Sequence, residues 1–186
     1  MENIDDYAIG IIYSTGTFVM ENQKAFLVVR NTDSWYASYI SKYSKCSIYK
    51  SGYHMRNKNT DQWIIKARDI NGVPPLSAIK EPSDFCRAYI EIHGVVDKIR
   101  RRRTRKQGLR LRIYGKEWIL DYINHILPAK EKTIQHITCK NQDGTYGSTC
   151  ALHYQSINEV TEIIQWLDGN PKNLSVWKKW KKALNE

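Results

Sequence analysis

Long apolar runs are missing from this chain. Nowhere in its 186 residues do the roughly 18–20 uninterrupted apolar residues of a membrane span occur, which excludes a membrane-crossing helix. Cysteine is sparse: Cys46, Cys86, Cys139 and Cys150 do not suggest a disulfide scaffold in a chain of this length. A basic leader is also absent. Met1-Glu2-Asn3-Ile4-Asp5-Asp6 is acidic where a signal peptide is basic, which points to the cytoplasm. Acidic residues run short overall, 19 Asp and Glu against 29 Lys and Arg, for a formal charge of +10. Such a surface gains affinity for polyanions by releasing their counterions.

What remains is an ordinary globular composition, 41% hydrophobic and 26% charged, long enough for one large or two small cores. The excess of positive charge is uneven. Residues 1–80 carry ten Lys and Arg against seven Asp and Glu, and residues 81–186 carry nineteen against twelve.

The chain also repeats itself. Ala8 to Phe18 and Cys86 to Val96 are both apolar helix-like runs with a small residue near the middle, stopped by a glycine and followed at once by a strand-like pair. The two glycines, Gly16 and Gly94, lie 78 residues apart, about one small domain. The flanking elements match. A helix from Ile4 to Thr15, with Asp5 and Asp6 at its start, leads into a hairpin of Phe18–Glu21 and Ala25–Arg30 around Asn22-Gln23. Asp33 caps an amphipathic helix carrying Trp35, Tyr36, Tyr39, Ile40 and Tyr43, and two strands follow, Cys46–Met55 and Gln62–Arg68. Asn71-Gly72-Val73-Pro74-Pro75 then interrupts any regular element.

The second half starts with a helix from Ser83, read as its cap, to His93. A basic strand over Val95–Arg105, a turn at Gln107-Gly108 and a strand over Leu109–Tyr114 follow. Next come a helix over Lys116–Leu127, strands near Thr133–Lys140 and Tyr146–Tyr154, a helix from Ser156 and a last helix over Leu174–Leu184. Each half reads α-β-β-α-β-β, with further helix at the end of the second. The expected domains are 1–80 and 81–186.

Both glycine-stopped runs resemble the motif of the LAGLIDADG homing endonucleases, and the order of elements extends the resemblance over essentially the whole chain. It implies an α+β fold: two LAGLIDADG-like αββαββα domains forming a pseudo-two-fold, single-chain pseudo-dimer. In that family the motif helices pack side by side through small residues. Gly10 and Ser14 fit this role in the first helix and Ala88 in the second, where Ile92 is larger than usual; Gly16 and Gly94 take the helix-end position, where a left-handed backbone is often required. The family holds its catalytic magnesium with an Asp or Glu just before each glycine. Thr15 and His93 stand there instead. A lone hydroxyl and an imidazole nitrogen cannot replace two hard carboxylate ligands. The resemblance therefore implies a retained DNA-binding frame without the nuclease.

In the family each sheet turns one face to DNA, and period-2 alternation separates the faces. Leu109-Arg110-Leu111-Arg112-Ile113 places Arg110 and Arg112 outward. Gln62, Lys66 and Arg68 alternate in the same way with Trp63, Ile65 and Ala67. Arg100, Arg101, Arg102, Arg103, Arg105 and Lys106 extend the basic strand, and arginine is the commonest reader of guanine edges. Lys24, Arg30, Lys50, Arg56 and Lys58 are further candidates, mainly for phosphate. The tail from Trp177 to Lys182 reads as a helix whose tryptophans pack and whose lysines stay in water.

His136-x-x-Cys139 and Cys150-x-x-His153 superficially resemble a zinc site. An i, i+3 pair on a strand, however, points to opposite faces, and neither pair has a glycine knuckle. No metal and no cofactor are expected. The reading is a monomeric, catalytically inactive, sequence-specific binder of double-stranded DNA that regulates transcription in a bacterium or phage. Its alternatives are an active or nicking endonuclease using Asp97 or Glu91, and an RNA-splicing maturase.

Overall fold

Asp5 begins the fold by capping. The Ala8 N–H donates to Asp5 Oδ1 at 2.8 Å, and the Tyr39 hydroxyl donates to Asp5 Oδ2 at 2.6 Å. From there the computed structural model describes residues 4–44, 46–55, 58–68, 72–100, 107–140, 144–169 and 172–185, with the side chains of 52–61, 100, 107, 139–140, 183 and 185 excepted.

In the first half, helix α1 (Asp6–Thr15) passes without a loop into strand β1 (Gly16–Glu21), which pairs with β2 (Lys24–Asn31). The turn between them is the expected Asn22-Gln23. Their φ values of 49° and 62° are both left-handed, as the twist of a two-residue hairpin requires. Helix α2 (Ser34–Ser41) starts where Asp33 Oδ1 accepts the Trp35 N–H at 3.0 Å. Strands β3 (Ile48–Met55) and β4 (Lys58–Ala67) complete an antiparallel sheet in the order β1-β2-β4-β3. A 3-10 turn, Leu76–Ala78, follows the two prolines.

The same order returns in α3 (Pro82–His93), β5 (Gly94–Arg100), β6 (Gln107–Gly115), α4 (Glu117–Ile126), β7 (Gln135–Lys140) and β8 (Tyr146–Tyr154). This sheet runs β5-β6-β8-β7, the topology of the first repeated, so the fold is α+β. Helices α5 (Ile157–Leu167) and α6 (Leu174–Asn185) are additions of the second half. By internal contact the chain divides into Met1–Ala88 and Tyr89–Glu186, inside α3 rather than before it. No helix among the described residues is long and apolar enough to cross a membrane.

Each sheet buries one face under its own helices. In the first unit α1 and α2 cover β2, and α2 also covers β4; Leu27, Val29, Ile65 and Ala67 lie at 0% exposure beneath them. Tyr7, Trp35 and Tyr39 meet as an aromatic cluster, with Trp35 and Tyr39 stacked at 5.1 Å. In the second unit α4 and α5 cover β6, and Leu111, Ile113, Leu152, Ile123 and Ile163 form the core. Buried Asn124 holds the segment after α4 by exchanging two 2.9 Å hydrogen bonds with the Lys132 backbone, and it accepts a third from the Tyr154 hydroxyl. Trp177 and Trp180 are buried on α6, as their spacing indicates.

Three local expectations need correction. Gln107 and Gly108, expected as a turn, lie within β6, paired with Arg100 and Ile99. Helix α3 begins at Pro82, not at a Ser83 cap: proline suits the first helical position, and the Glu81 carbonyl accepts the Asp84 and Phe85 N–H groups. The motif glycines are also not left-handed. Gly16 has φ −77° and ψ 141°, and Gly144 is the one described glycine with positive φ. Space is the reason for glycine at both junctions. A Cβ on Gly16 would lie 2.5 Å from the Ile12 carbonyl oxygen and 2.9 Å from its Cγ2, and one on Gly94 would collide with the equivalent atoms of Ile90. Gly10 is likewise a close approach, because a Cβ there would lie 2.6 Å from the Phe85 carbonyl oxygen and 2.7 Å from the Ala88 Cβ.

Candidate nucleic-acid interface

Strand register decides which side chains share the sheet face left open by the helices. In the second unit Asp97 pairs with Arg110, Val95 with Arg112, and Arg112 with His153. Leu109, Leu111 and Ile113 are buried under the helices, so Arg110 and Arg112 point to the open face, as their alternation indicates. There they form one network. Arg110 donates from Nε and Nη2 to the two carboxylate oxygens of Asp97 at 3.1 and 2.6 Å. Arg112 donates from Nη2 to Asp97 at 3.4 Å and from Nη1 to the Tyr114 hydroxyl at 3.0 Å.

This geometry sets the protonation states. The hydrogen bond from Arg110 outweighs desolvation and holds the Asp97 carboxyl below the usual range, so it stays ionised. Partial burial, followed by the Arg110 and Arg112 charges, lowers the His153 pKa below its ordinary value. Arg112 Nε and His153 Nε2 are buried and find no hydrogen-bond partner among the described residues. Two guanidinium groups held side by side on the open face suit an anionic or acceptor-rich surface.

The first unit's open face is built differently. Phe26, Val28 and Ile64 form an apolar cluster at its centre, with Val19 against it. Basic groups lie over this cluster: Lys66 Nζ sits 4.6 Å and Arg68 Cζ 5.5 Å from the Phe26 ring centroid. Lys66 also pairs with Glu21 across the sheet. Lys24 and Arg30 share this face at its exposed margin, and Gln62 lies on it through the alternation of β4. Exposed Tyr49, paired with Ile64, joins them from β3.

The remaining candidates fall elsewhere. Lys50 pairs with Trp63 and approaches its ring at 6.0 Å, which puts it on the helix-packed side of its sheet. Arg56, Arg101, Arg102, Arg103, Arg105 and Lys106 lie outside the described residues, as do the side chains of Lys58 and Arg100. Of the two motif positions, Thr15 donates from Oγ1 to the Ile11 carbonyl at 3.3 Å, and the His93 ring lies 4.8 Å from that of Tyr89. Ser14 donates to the Gly10 carbonyl at 2.7 Å, while Ile92 is half-buried. Glu91 is buried at 7% exposure.

Alternation along β6 puts Tyr114 on the same face as Arg112, but it could not supply His153, which depends on the β6–β8 register. The paired carboxylate of Asp97 has the same origin, in the β5–β6 register. Cys150 and His153 do not form a common site, and the Cys139 side chain lies outside the described residues. His136 and Cys150 face each other directly on the helix side of the sheet, and the pairing of His153 with Arg112 places it on the open side.

No family profile and no curated protein sequence matches the chain. Solved structures do. A point mutant of I-SmaMI superposes with a TM-score of 0.62 at 11% identity, covering 97% of this chain and 91% of that one. The LAGLIDADG homing endonuclease I-GzeII, in complex with its DNA target, gives 0.62 at 10% identity, with coverages of 98% and 90%. The N-terminal LAGLIDADG domain of DUF199/WhiA gives 0.53 at 14% identity, with coverages of 95% and 88%. Over nearly its full length, therefore, this chain has the fold of the LAGLIDADG homing endonucleases.

Proposed function

We propose that the chain is a sequence-specific binder of double-stranded DNA that has no nuclease activity and acts as a transcriptional regulator. The arginine pair carries the reading. Arg110 and Arg112, fixed by one carboxylate on the open face of a sheet, present forked donors of the kind that match guanine edges in the major groove. The DNA-bound homing endonuclease among the similar structures and the net charge of +10 support the same partner. Two non-identical open faces in one chain suit a monomer that reads an asymmetric site.

The chemistry at the motif ends supports the absence of cleavage. Magnesium requires oxygen ligands in near-octahedral geometry, and Thr15 and His93 supply no carboxylate. The alternative acids are occupied otherwise: Glu91 is buried, and Asp97 is engaged by two arginines. Loss of two anions beside the phosphates also strengthens binding at no cost to recognition.

The test is selection from a random duplex-DNA library, with the bound molecules sequenced after incubation with and without magnesium. Intact, enriched long motifs under both conditions are expected. Cleaved products that require magnesium would overturn the loss of activity, and no enrichment over random duplex would overturn specific DNA binding. Regulation is tested by placing the selected site across a promoter; unchanged transcription on expression of the protein would overturn that role.

A further inference from the structure

On the other side of the second sheet, away from Arg110 and Arg112, three side chains from three elements converge. Glu117 comes from the first turn of α4, His136 from the edge strand β7, and Cys150 from the opposite position on β8. Cys150 Sγ lies 3.4 Å from His136 Nδ1, and His136 Nε2 lies 3.5 Å from Glu117 Oε1. One ligand atom from each of the three residues falls within 4.8 Å of the others. From these positions we infer that Glu117, His136 and Cys150 form a binding site for a divalent transition metal, with zinc the best suited.

The chemistry follows from the donors. Zinc bonds to thiolate, imidazole and carboxylate at about 2.0–2.3 Å, so neighbouring ligand atoms around a tetrahedral ion lie roughly 3–4 Å apart. These two contacts reach different ring nitrogens and one ion takes only one of them, so the third ligand atom, within 4.8 Å, closes in by rotation of the exposed Glu117 or His136 side chain. A thiolate with an imidazole favours zinc over magnesium or calcium, which prefer oxygen ligands alone. His136 and Glu117 are largely exposed, with side-chain accessibilities of 68% and 61%, so the imidazole is free to present either nitrogen. One protein ligand short of four, the ion keeps a position for water or an external ligand. On binding, Cys150 gives its thiol proton to solvent and His136 binds as the neutral imidazole.

The site was hidden from sequence spacing because its ligands are not an i, i+3 pair. His136 and Cys150 belong together through strand register, and Glu117 joins them only once α4 lies over the sheet. A bound ion ties edge strand β7 to β8 and to the start of α4, spanning the segment after α4 that Asn124 holds.

The experiment uses the full chain, reduced and stripped of metal, titrated with cobalt(II) as a spectroscopic substitute. A thiolate-to-cobalt charge-transfer band in the near ultraviolet, saturating at one equivalent and bleached by zinc(II), is the expected result. Cys150→Ser should abolish the band. The exposed variants His136→Gln and Glu117→Gln should each weaken cobalt binding about tenfold or more, and Cys46→Ser should leave it unchanged. Zinc should raise the Tm of the wild type but not of Cys150→Ser. The inference is overturned if the wild type shows no thiolate band, or if the band survives Cys150→Ser. It is equally overturned if His136→Gln, with wild-type circular dichroism, binds cobalt as well as the parent.

Discussion

The two sheets share strand order and antiparallel pairing, yet their open faces carry opposite chemistry. In the first, apolar Phe26, Val28 and Ile64 fill the centre, and the cations rest on them as on a platform. In the second, the centre itself is charged, with a carboxylate clasped by two arginines beside a histidine. Identical topology thus leaves the face opposite the helices free to vary, because only the covered face is needed to bury the core. Under the proposed function the contrast divides the labour. Lys66 and Arg68 on an apolar bed hold phosphate at many sequences, whereas Arg110 and Arg112, held by Asp97, discriminate among bases.

The sharpest way to break this comparison is to remove the arginine pair. Arg110→Ala with Arg112→Ala should reduce binding of the selected duplex toward that of random duplex, a loss of about 1–3 kcal/mol for each base read. Fluorescence anisotropy against both duplexes measures it, and unchanged selectivity would remove the second face from base reading.

A comparable effect on folding tests whether the repeats are equivalent. Gly16→Ala and Gly94→Ala each force a Cβ into the preceding turn, and each should cost about 1–3 kcal/mol in urea unfolding. A large cost at one junction and none at the other would break the symmetry.

Asp97→Asn separates positioning from charge. It should lower selectivity several-fold, less than loss of the arginines themselves, while raising affinity for random duplex, because one anion beside phosphate is gone. Equal loss for both duplexes would count against a positioning role. In the first sheet, Lys66→Ala with Arg68→Ala should weaken binding to all duplexes alike. The salt dependence should flatten by about 0.9 in slope for each phosphate that is no longer neutralised.

The smallest expected effect is a pH dependence centred on His153. Its pKa lies below 6.5, lowered by desolvation and then by Arg110 and Arg112 while Asp97 opposes them, so it is neutral at pH 7. A base whose folded pKa is depressed takes up its proton first in the unfolded chain. Its contribution to stability is therefore present above about pH 6.5 and is lost as the pH falls below that value. Asp97, lowered below its ordinary 3.8, remains ionised throughout this range. A phosphate placed near His153 reverses the histidine shift. DNA affinity should then rise a few-fold between pH 7.5 and 6, with Arg110 and Asp97 unchanged in charge, and His153→Gln should remove the rise.

Much of this architecture is legible in the residue order. Turn chemistry at Asn22-Gln23, the cap at Asp33 and the alternation of Leu109 to Ile113 are local signals, and each is realised locally. The second repeat reads as clearly as the first because its helix ends in the same glycine. Partnerships set by register stay hidden, since a shift of one residue would give every strand the same composition but different neighbours. Asp97 with Arg110, Arg112 with His153, and Cys150 with His136 are all of this kind. The apolar bed is hidden for another reason: Ala25 to Val29 is unbroken hydrophobic sequence, which carries no alternation to show that Phe26 and Val28 turn away from the helices. Motif glycines can be identified by position, but their cause, crowding by Ile12 and Ile90, is visible only in three dimensions.

The direct passage from helix to strand at Gly16 and Gly94 has a consequence for how such a chain can evolve. With no loop between the two elements, an insertion or deletion there rotates everything downstream, and a larger residue at the glycine meets the preceding turn. The residue just before is under no such constraint: position 15 needs only to finish a helix, and Thr15 does so with a hydrogen bond to the Ile11 carbonyl. A scaffold of this design separates inheritance of shape from inheritance of chemistry. Under the proposed function, single-codon changes at positions 15 and 93 retire a reaction while the platform that binds DNA passes on intact and open to a new use.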